Sequence, residues 1–191
     1  MKFIFLITML ISYTSSFEYL KKVKLKPSSY LKWYNSEENT MKDTVKIGEL
    51  LYTCEFVPIQ IDICKQILSN DINMKKARQN LKMSAEPKFI LRVFYDGVEV
   101  SSKTKDISHL NFGMKKQFYL SQINSDDTIR CIGYHSEKGI SDFKISNFSL
   151  YFENMNQKSM NDITLTFEDD FFSNEIIRFH FNVAQTPKLV L

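Results

Sequence analysis

Short apolar runs separated by turn residues dominate the chain, most clearly between residues 86 and 152. The runs are rich in β-branched and aromatic residues, and Asp96-Gly97 between two of them is a strong hairpin signal. The segments predicted as strands are 44–56, 57–63, 89–94, 98–103, 118–120, 128–134, 143–152, 163–167 and 176–183. Roughly eight short strands with frequent turns predict a mainly β fold, an antiparallel β-sandwich.

At two places the pattern predicts an interruption of the regular strand pairing. The isoleucines of 57–63 alternate as in a strand, and Pro58 indicates an edge strand or a bulge at that join. In 143–152 the apolar residues change parity at Ser146-Asn147, which predicts a β-bulge there.

In residues 62–83 the spacing between apolar residues changes from two to nearly four positions. The apolar stripe consists of Ile63, Ile67, Met74, Ala77 and Leu81. This spacing predicts one helix inserted into the β domain, with Asn70 as the candidate position for a break. We assign residues 44–185 to the sandwich domain and residues 186–191 to a tail.

The first sixteen residues have the pattern of a secretory signal peptide. Lys2 precedes the apolar run 3–11, and small polar residues follow up to Ser16, the favoured cleavage site. The run is shorter than the roughly 20 apolar residues that a bilayer-spanning helix requires. We therefore expect a protein that is secreted or resides in the lumen of a secretory organelle; the alternative is a buried N-terminal strand or helix.

Residues 17–43 form an N-terminal extension, an arm that combines aromatic and basic side chains. These are Tyr19, Tyr30, Trp33 and Tyr34 with Lys21, Lys22, Lys24 and Lys26. One interpretation is an arm that contacts an acidic surface. The favoured interpretation is an edge strand that packs its aromatic side chains on the sandwich.

Three cysteines, Cys54, Cys64 and Cys131, are the disulfide candidates in an oxidising compartment. Because their number is odd, one thiol would stay free or pair with another chain. Their positions leave the pairing open. The sequence has no CxxC or Cys/His cluster typical of a zinc site. Asn147-Phe148-Ser149 is a glycosylation sequon inside a predicted strand.

Composition and motifs exclude several classes of function. The net charge of +3 is too small to predict nucleic-acid binding, and a hydrophobic fraction of 43% excludes a disordered chain. The acidic pairs at 126–127 and 168–170 fall in turns between predicted strands, where acidic residues are common. GxSxG, P-loop and HExxH sequences are absent from the chain. We expect a protein that is not an enzyme and has no cofactor.

The order of features in the second half of the chain resembles a C2 domain, a β-sandwich that docks on membranes. The matching segments are AEPKFILRVFYDG, SSKTKDISHLNFGMKKQF, DDTIRCIGYHSEKGISDFKISNFSLYF and IIRFHFNV. The family's Pro and Trp after Leu-Asn are replaced by Phe112 and Met114, and the helical segment 62–83 lies where the family has a short loop. The resemblance implies a C2-like sandwich and a membrane surface or a membrane-bound protein as partner.

The resemblance also locates the loops in which C2 domains bind calcium. The oxygen ligands available there are Glu86, Glu137 and Asp142, and His135 replaces one expected aspartate. Calcium binds through six to eight oxygens, several of them from carboxylates. We therefore expect docking that does not depend on calcium.

Basic side chains on the C2-like strands are the predicted membrane-binding or anion-binding residues. They are Lys88, Arg92, Lys103, Lys105, Lys115 and Lys116. An alternative function is a secreted subunit or adhesin that binds a protein through the aromatic arm and through Phe171 and Phe172 of the FEDDFF segment, expected to be exposed. Sugar binding would require a platform of exposed aromatic side chains.

Overall fold

The computed structural model describes residues 23–82, 88–94, 113–122, 127–138, 145–153 and 162–191. Its strands are β1 (Lys24–Leu25), β2 (Lys42–Ile47), β3 (Leu50–Val57), β4 (Lys88–Phe94), β5 (Phe118–Gln122), β6 (Thr128–Lys138), β7 (Ile145–Phe152), β8 (Asp162–Asp169), β9 (Glu175–Asn182) and β10 (Lys188–Leu189). Its helices are α1 (Pro27–Tyr34), α2 (Ile59–Leu68) and α3 (Met74–Asn80), with 3₁₀ turns at Met114–Gln117 and Val183–Gln185. The signal peptide and the predicted hairpin partner 98–103 lie outside the described residues.

Eight antiparallel strands form one sheet in the order β2-β3-β4-β7-β6-β5-β8-β9. The first and last strands of this order, β2 and β9, are connected by hydrogen bonds from or to side chains. The backbone N–H of His180 on β9 donates to Asp43 Oδ2 on β2 at 2.7 Å, and Thr40 Oγ1 donates to the carbonyl of Asn182 at 3.1 Å. The sheet is therefore nearly closed into a barrel. The prediction of a mainly β, antiparallel fold is confirmed, and a sandwich-like arrangement is compatible with this sheet.

The core consists of the inward-facing side chains at alternating positions along the strands. Its central members are Tyr52, Cys54, Phe56, Phe89, Leu91, Val93, Phe148, Leu150, Phe152, Ile163, Leu165, Phe167, Ile177, Phe179 and Phe181. Phe89 lies among three other rings, with centroid distances of 5.0 Å to Phe56, 5.5 Å to Phe152 and 5.4 Å to Phe181. Aromatic contacts from four strands thus meet inside the sheet, as the alternation in the sequence indicated.

The predicted single helix is two helices, and the predicted strand before it is wrong. Pro58, with extended backbone, is the N-cap of α2, so the isoleucines expected to alternate along a strand belong to a helix. Ile61 and Ile63 are buried there. A spacing of two and four residues fits a strand but also places positions 59 and 63 on one side of a helix, which explains the error. The break lies at Asn70, whose φ is +61°.

The N-terminal arm does not form the expected edge strand on the main sheet. Residues 27–34 form α1, which begins with Pro27 in the first turn and buries Tyr30 and Tyr34. The tail also has a defined place, because β10 pairs in parallel with β1. Both segments are therefore integrated into the fold.

The predicted bulge in 143–152 does not occur in β7. The register between β4 and β7 is continuous from Lys88↔Tyr151 to Phe94↔Ile145. The irregularity lies instead on β6, where the register with β7 shifts between Cys131 and Gly133.

A buried carboxylate fixes the turn between β8 and β9. Asp169 is 2% exposed and accepts the hydroxyl of Tyr52 on β3 at 2.6 Å. It also accepts the backbone N–H groups of Phe171, Phe172 and Ser173 at 2.8–2.9 Å. Burial raises the pKa of Tyr52 well above its ordinary value, which keeps its hydroxyl protonated as a donor. The turn is therefore tied to the opposite side of the core.

Replacing Asp169 with asparagine should destabilise the protein by about 3 kcal/mol, because an amide N–H₂ would face donors that need an acceptor. Tyr52→Phe removes one donor and leaves the turn contacts in place, so we expect a smaller loss of about 1 kcal/mol. Urea unfolding followed by circular dichroism measures both values. An Asp169→Asn variant as stable as the wild type would contradict this assignment.

Candidate functional site: a cationic helical cap

Two of the predicted membrane-binding residues on β4 are engaged with neighbours on the sheet. Arg92 Nη1 lies 3.2 Å from Glu55 Oε2, and Lys42 Nζ lies 3.7 Å from the other oxygen of the same carboxylate. Lys88 Nζ lies 5.9 Å from the centre of the Tyr151 ring. The charge of Arg92 is therefore partly neutralised by an ion pair within the sheet.

The other described members of the predicted basic face lie elsewhere. Lys115 and Lys116 are exposed in the 3₁₀ turn that precedes β5, and β7 and β6 separate β5 from β4. Lys103 and Lys105 lie outside the described residues. The described residues thus do not form the single basic strand face that the sequence predicted.

The predicted calcium ligands are largely outside the described residues. Glu86 and Asp142 fall in undescribed segments, and Glu137 is described only as backbone on β6. Within the described ranges, no three side chains of His, Cys, Asp or Glu come together in a way that could hold a metal ion. Calcium-independent docking stays a prediction.

The FEDDFF segment is not the exposed apolar patch that we expected. Phe171 and Phe172 are both half-buried, and their rings contact each other edge to face at 4.9 Å. Phe172 also packs against Phe148 of the core at 6.4 Å. The hydrogen bonds to Asp169 hold both residues in this position, so the segment is part of the core boundary.

The three cysteines are free and buried, and the expected disulfide is absent. Cys54 lies on β3, Cys64 on α2 and Cys131 on β6, so three separate elements hold them. Burial raises the pKa of Cys64 to about 11, raises that of Cys54 well above its ordinary value, and raises that of Cys131. Reactive thiolates are therefore suppressed in the folded protein.

The glycosylation sequon lies in the middle of the sheet. Asn147 is on β7, which pairs with β4 on one side and β6 on the other. Ser149 is only 7% exposed. In the folded protein the sequon therefore lies between two neighbouring strands, with its serine buried.

The helices and the two short strands form a group of connected elements, which we call the helical cap: residues 23–34, 59–82 and 186–191. In the cap α1 packs on α2 and on β1, and α2 packs on α3. The β1–β10 pair is held by Lys188 N–H to the Val23 carbonyl at 2.8 Å and Val190 N–H to the Leu25 carbonyl at 2.9 Å. Arg78 on α3 donates to the carbonyl of Leu191 at 2.9 Å, which joins α3 to the segment that follows β10.

Buried tyrosines anchor the cap to the sheet. The hydroxyl of Tyr34 on α1 donates to the carbonyl of Phe56 on β3 at 3.1 Å. Tyr30 is fully buried, as are Ile61 and Cys64 on α2, and all belong to the main core. The apolar sides of α1 and α2 therefore face the sheet, and their polar sides face solvent.

Positive charge is concentrated on the solvent side of the cap. Its cationic side chains, all exposed, are Lys24, Lys26, Lys32, Lys65, Lys75, Lys76, Arg78, Lys82 and Lys188. The cap contains only two acidic residues, Asp62 and Asp71, so its net charge is +7. The other described residues comprise 9 basic and 13 acidic residues, a net charge of −4. The described part of the chain is therefore strongly asymmetric in charge.

Exposed apolar side chains are concentrated in the same place. Among the described residues the exposed large hydrophobics are Val23, Leu68, Met74, Val190 and Ile176, and only Ile176 lies outside the cap. An open depression of about 620 Å³ lies along α3. Its lining consists of three lysines and three amide side chains: Lys75, Lys76, Lys82, Asn73, Gln79 and Asn80. The cap thus contains exposed cations, amide donors and apolar groups.

Sequence reasoning missed this surface because it followed the apolar stripe of 62–83 and not its polar side. The lysines of the N-terminal arm were noted, but nothing indicated that they join those of α2 and α3. Residues 59–82 contain five basic and two acidic residues. This excess of positive charge was the signal in the sequence that could have indicated the surface.

Comparisons with known proteins leave the family open. No protein-family model matches the chain. No curated protein matches it either. A crystal structure of a protein of unknown function from Burkholderia pseudomallei is 14% identical, and the match covers 85% of this chain and 92% of that chain with a TM-score of 0.39. At this TM-score the likeness supports no inference. In the part of the chain that the structure describes, no helix is long and apolar enough to cross a membrane.

The three thiols should be unreactive in the native protein and all reactive after unfolding. We expect Ellman's reagent at pH 8 to detect no thiol in buffer and three in urea without reductant, because burial blocks access and disfavours the thiolate. A reading of one thiol in urea would reveal a disulfide and contradict the structure. Rapid reaction in buffer would contradict the burial of the cysteines.

Proposed function

We propose that this protein is a non-enzymatic, secreted module that docks on a membrane surface or a membrane-bound partner without calcium. The observation that supports the proposal is the charge asymmetry: the cap carries +7 and the remaining described residues carry −4. Such a field orients a protein toward a negative surface as it approaches. The cap, and not a strand face, is the docking surface.

The size of the charge is sufficient for weak, salt-sensitive docking. Each basic side chain near an anionic leaflet contributes about 1 kcal/mol. Three or four of the nine cations in contact at once would provide about 3–4 kcal/mol, which corresponds to a dissociation constant in the millimolar range. Salt shortens the range of these interactions, so binding should weaken as ionic strength rises.

The alternative of a protein-binding subunit finds less support. Its two proposed contact regions are the aromatic arm and the FEDDFF segment. Tyr30, Trp33 and Tyr34 of the arm and Phe172 of the segment pack against the core. The C2 resemblance stays a prediction, and the support for docking is the surface of the cap.

Neutralising two lysines of the cap should weaken binding to anionic vesicles by roughly 30-fold, since each contributes about 1 kcal/mol. The test variant is Lys75→Gln with Lys76→Gln. Its matched control is Lys115→Gln with Lys116→Gln, which also removes two adjacent exposed charges but leaves the cap intact. Vesicle co-sedimentation of protein from a secreting host, with calcium or with chelator, measures both.

We expect the control pair to bind within twofold of the wild type and the calcium arm to match the chelator arm. All variants share one N-terminus, so an apolar leader that remained attached would not produce a difference between them. Equal losses in both pairs would refute the cap as the docking surface. Stable association with a protein at high salt, unaffected by either pair, would favour the alternative function.

A further inference from the structure

The tip of the α2–α3 hairpin, residues 68–74, has a defined shape that presents two apolar side chains to solvent. Leu68 ends α2 and is 52% exposed, and Met74 begins α3 and is 42% exposed. Soluble surfaces carry single exposed apolar residues, but here two flank the same turn.

Hydrogen bonds within the tip hold this arrangement. The N–H of Asp71 donates to the carbonyl of Gln66 at 2.8 Å, and Ser69 Oγ donates to the Asp71 carboxylate. Asn73 caps α3 by accepting the N–H of Lys76 at 2.9 Å. The helix ends therefore satisfy their polar groups locally, and the exposure of Leu68 and Met74 belongs to an ordered turn.

Cations surround the two apolar side chains. Lys65 lies one helical turn before Leu68, and Lys75 and Lys76 follow Met74 directly. The depression along α3 lies beside them and offers lysine and amide donors. Asp71 is the one acidic residue of the tip, and its carboxylate is engaged by Ser69. Apolar groups that enter a bilayer interface while lysines reach the phosphates are the pattern of interfacial docking.

The shape of the tip favours a bilayer over an acidic protein. A stable protein interface typically buries at least about 1,000 Å² with complementary packing. A turn with two apolar side chains supplies far less area, but it is enough for insertion between lipid headgroups.

We propose that Leu68 and Met74 insert into the interface of an anionic phospholipid bilayer while Lys65, Lys75 and Lys76 bind lipid phosphates. This inference rests on the proposed docking function and names its partner and point of contact. It predicts binding with two separable contributions, one from charge and one from apolar insertion.

The apolar contribution is tested with Leu68→Ser combined with Met74→Ser, on vesicles of two parts phosphatidylcholine to one part phosphatidylserine. We expect binding to fall about tenfold or more, since both side chains lose favourable transfer from water. Ile176→Ser is the matched control, because Ile176 is 54% exposed on β9 outside the cap, and it should not change binding.

Insertion itself is tested with an environment-sensitive fluorophore on Leu68→Cys, where the label takes the place of one inserted side chain and no side-chain hydrogen bond of the tip is removed. Lys115→Cys is the label site off the cap. The three native cysteines are buried, so the introduced thiol is labelled selectively. We expect a blue shift and protection from an aqueous quencher at position 68 and neither change at position 115.

The outcomes separate the inference from the function on which it rests. If the lysine variants weaken binding but the label at 68 stays in water and the serine variants bind normally, docking is purely electrostatic and the inference is wrong. If the protein does not bind vesicles but binds a membrane-bound acidic protein or sulfated polysaccharide through the cap, the inference is wrong and only docking on a membrane-bound partner survives. If the cap binds none of these, both are wrong.

Discussion

The burial of α1 and α2 against the sheet is the constraint on which the surface of this protein depends. Tyr30 and Tyr34 from α1, with Ile61 and Cys64 from α2, belong to the same core as the sheet. Their burial removes a large apolar area from water, and the hydroxyl of Tyr34 satisfies the carbonyl of Phe56. With the apolar sides fixed inward, the lysines of both helices have no position but the solvent side.

The fold therefore separates the basic residues of the cap from the acidic residues of the rest of the described structure. The described residues outside the cap carry the acidic excess, and the cap carries the basic excess. A net charge of +3 for the whole chain conceals this separation. Long-range attraction from the cap would bring the protein to a negative surface in a defined orientation. Exposed apolar groups such as Leu68 would then add short-range, salt-independent affinity at the point of contact.

The strands were predictable and the surface was not. Alternation of large apolar side chains in 89–94, 163–167 and 176–183 is a local signal, and each segment is a strand. The near closure of the sheet depends on contacts such as Asp43 with His180, 137 residues apart in sequence, which no local pattern encodes. Residues 57–63 were misassigned because their isoleucines satisfy two periodicities. The cap escaped prediction because its cations come from three separate segments that only the fold brings together.

Hydrogen exchange on anionic vesicles would test the central claim most directly, because it maps the docking surface without any substitution. The account predicts slower exchange of the backbone amides of residues 65–78 when vesicles are present, with the strands β5 to β9 unchanged. Protection centred on the 3₁₀ turn at Met114–Gln117, or on the sheet, with the hairpin unaffected, would contradict it.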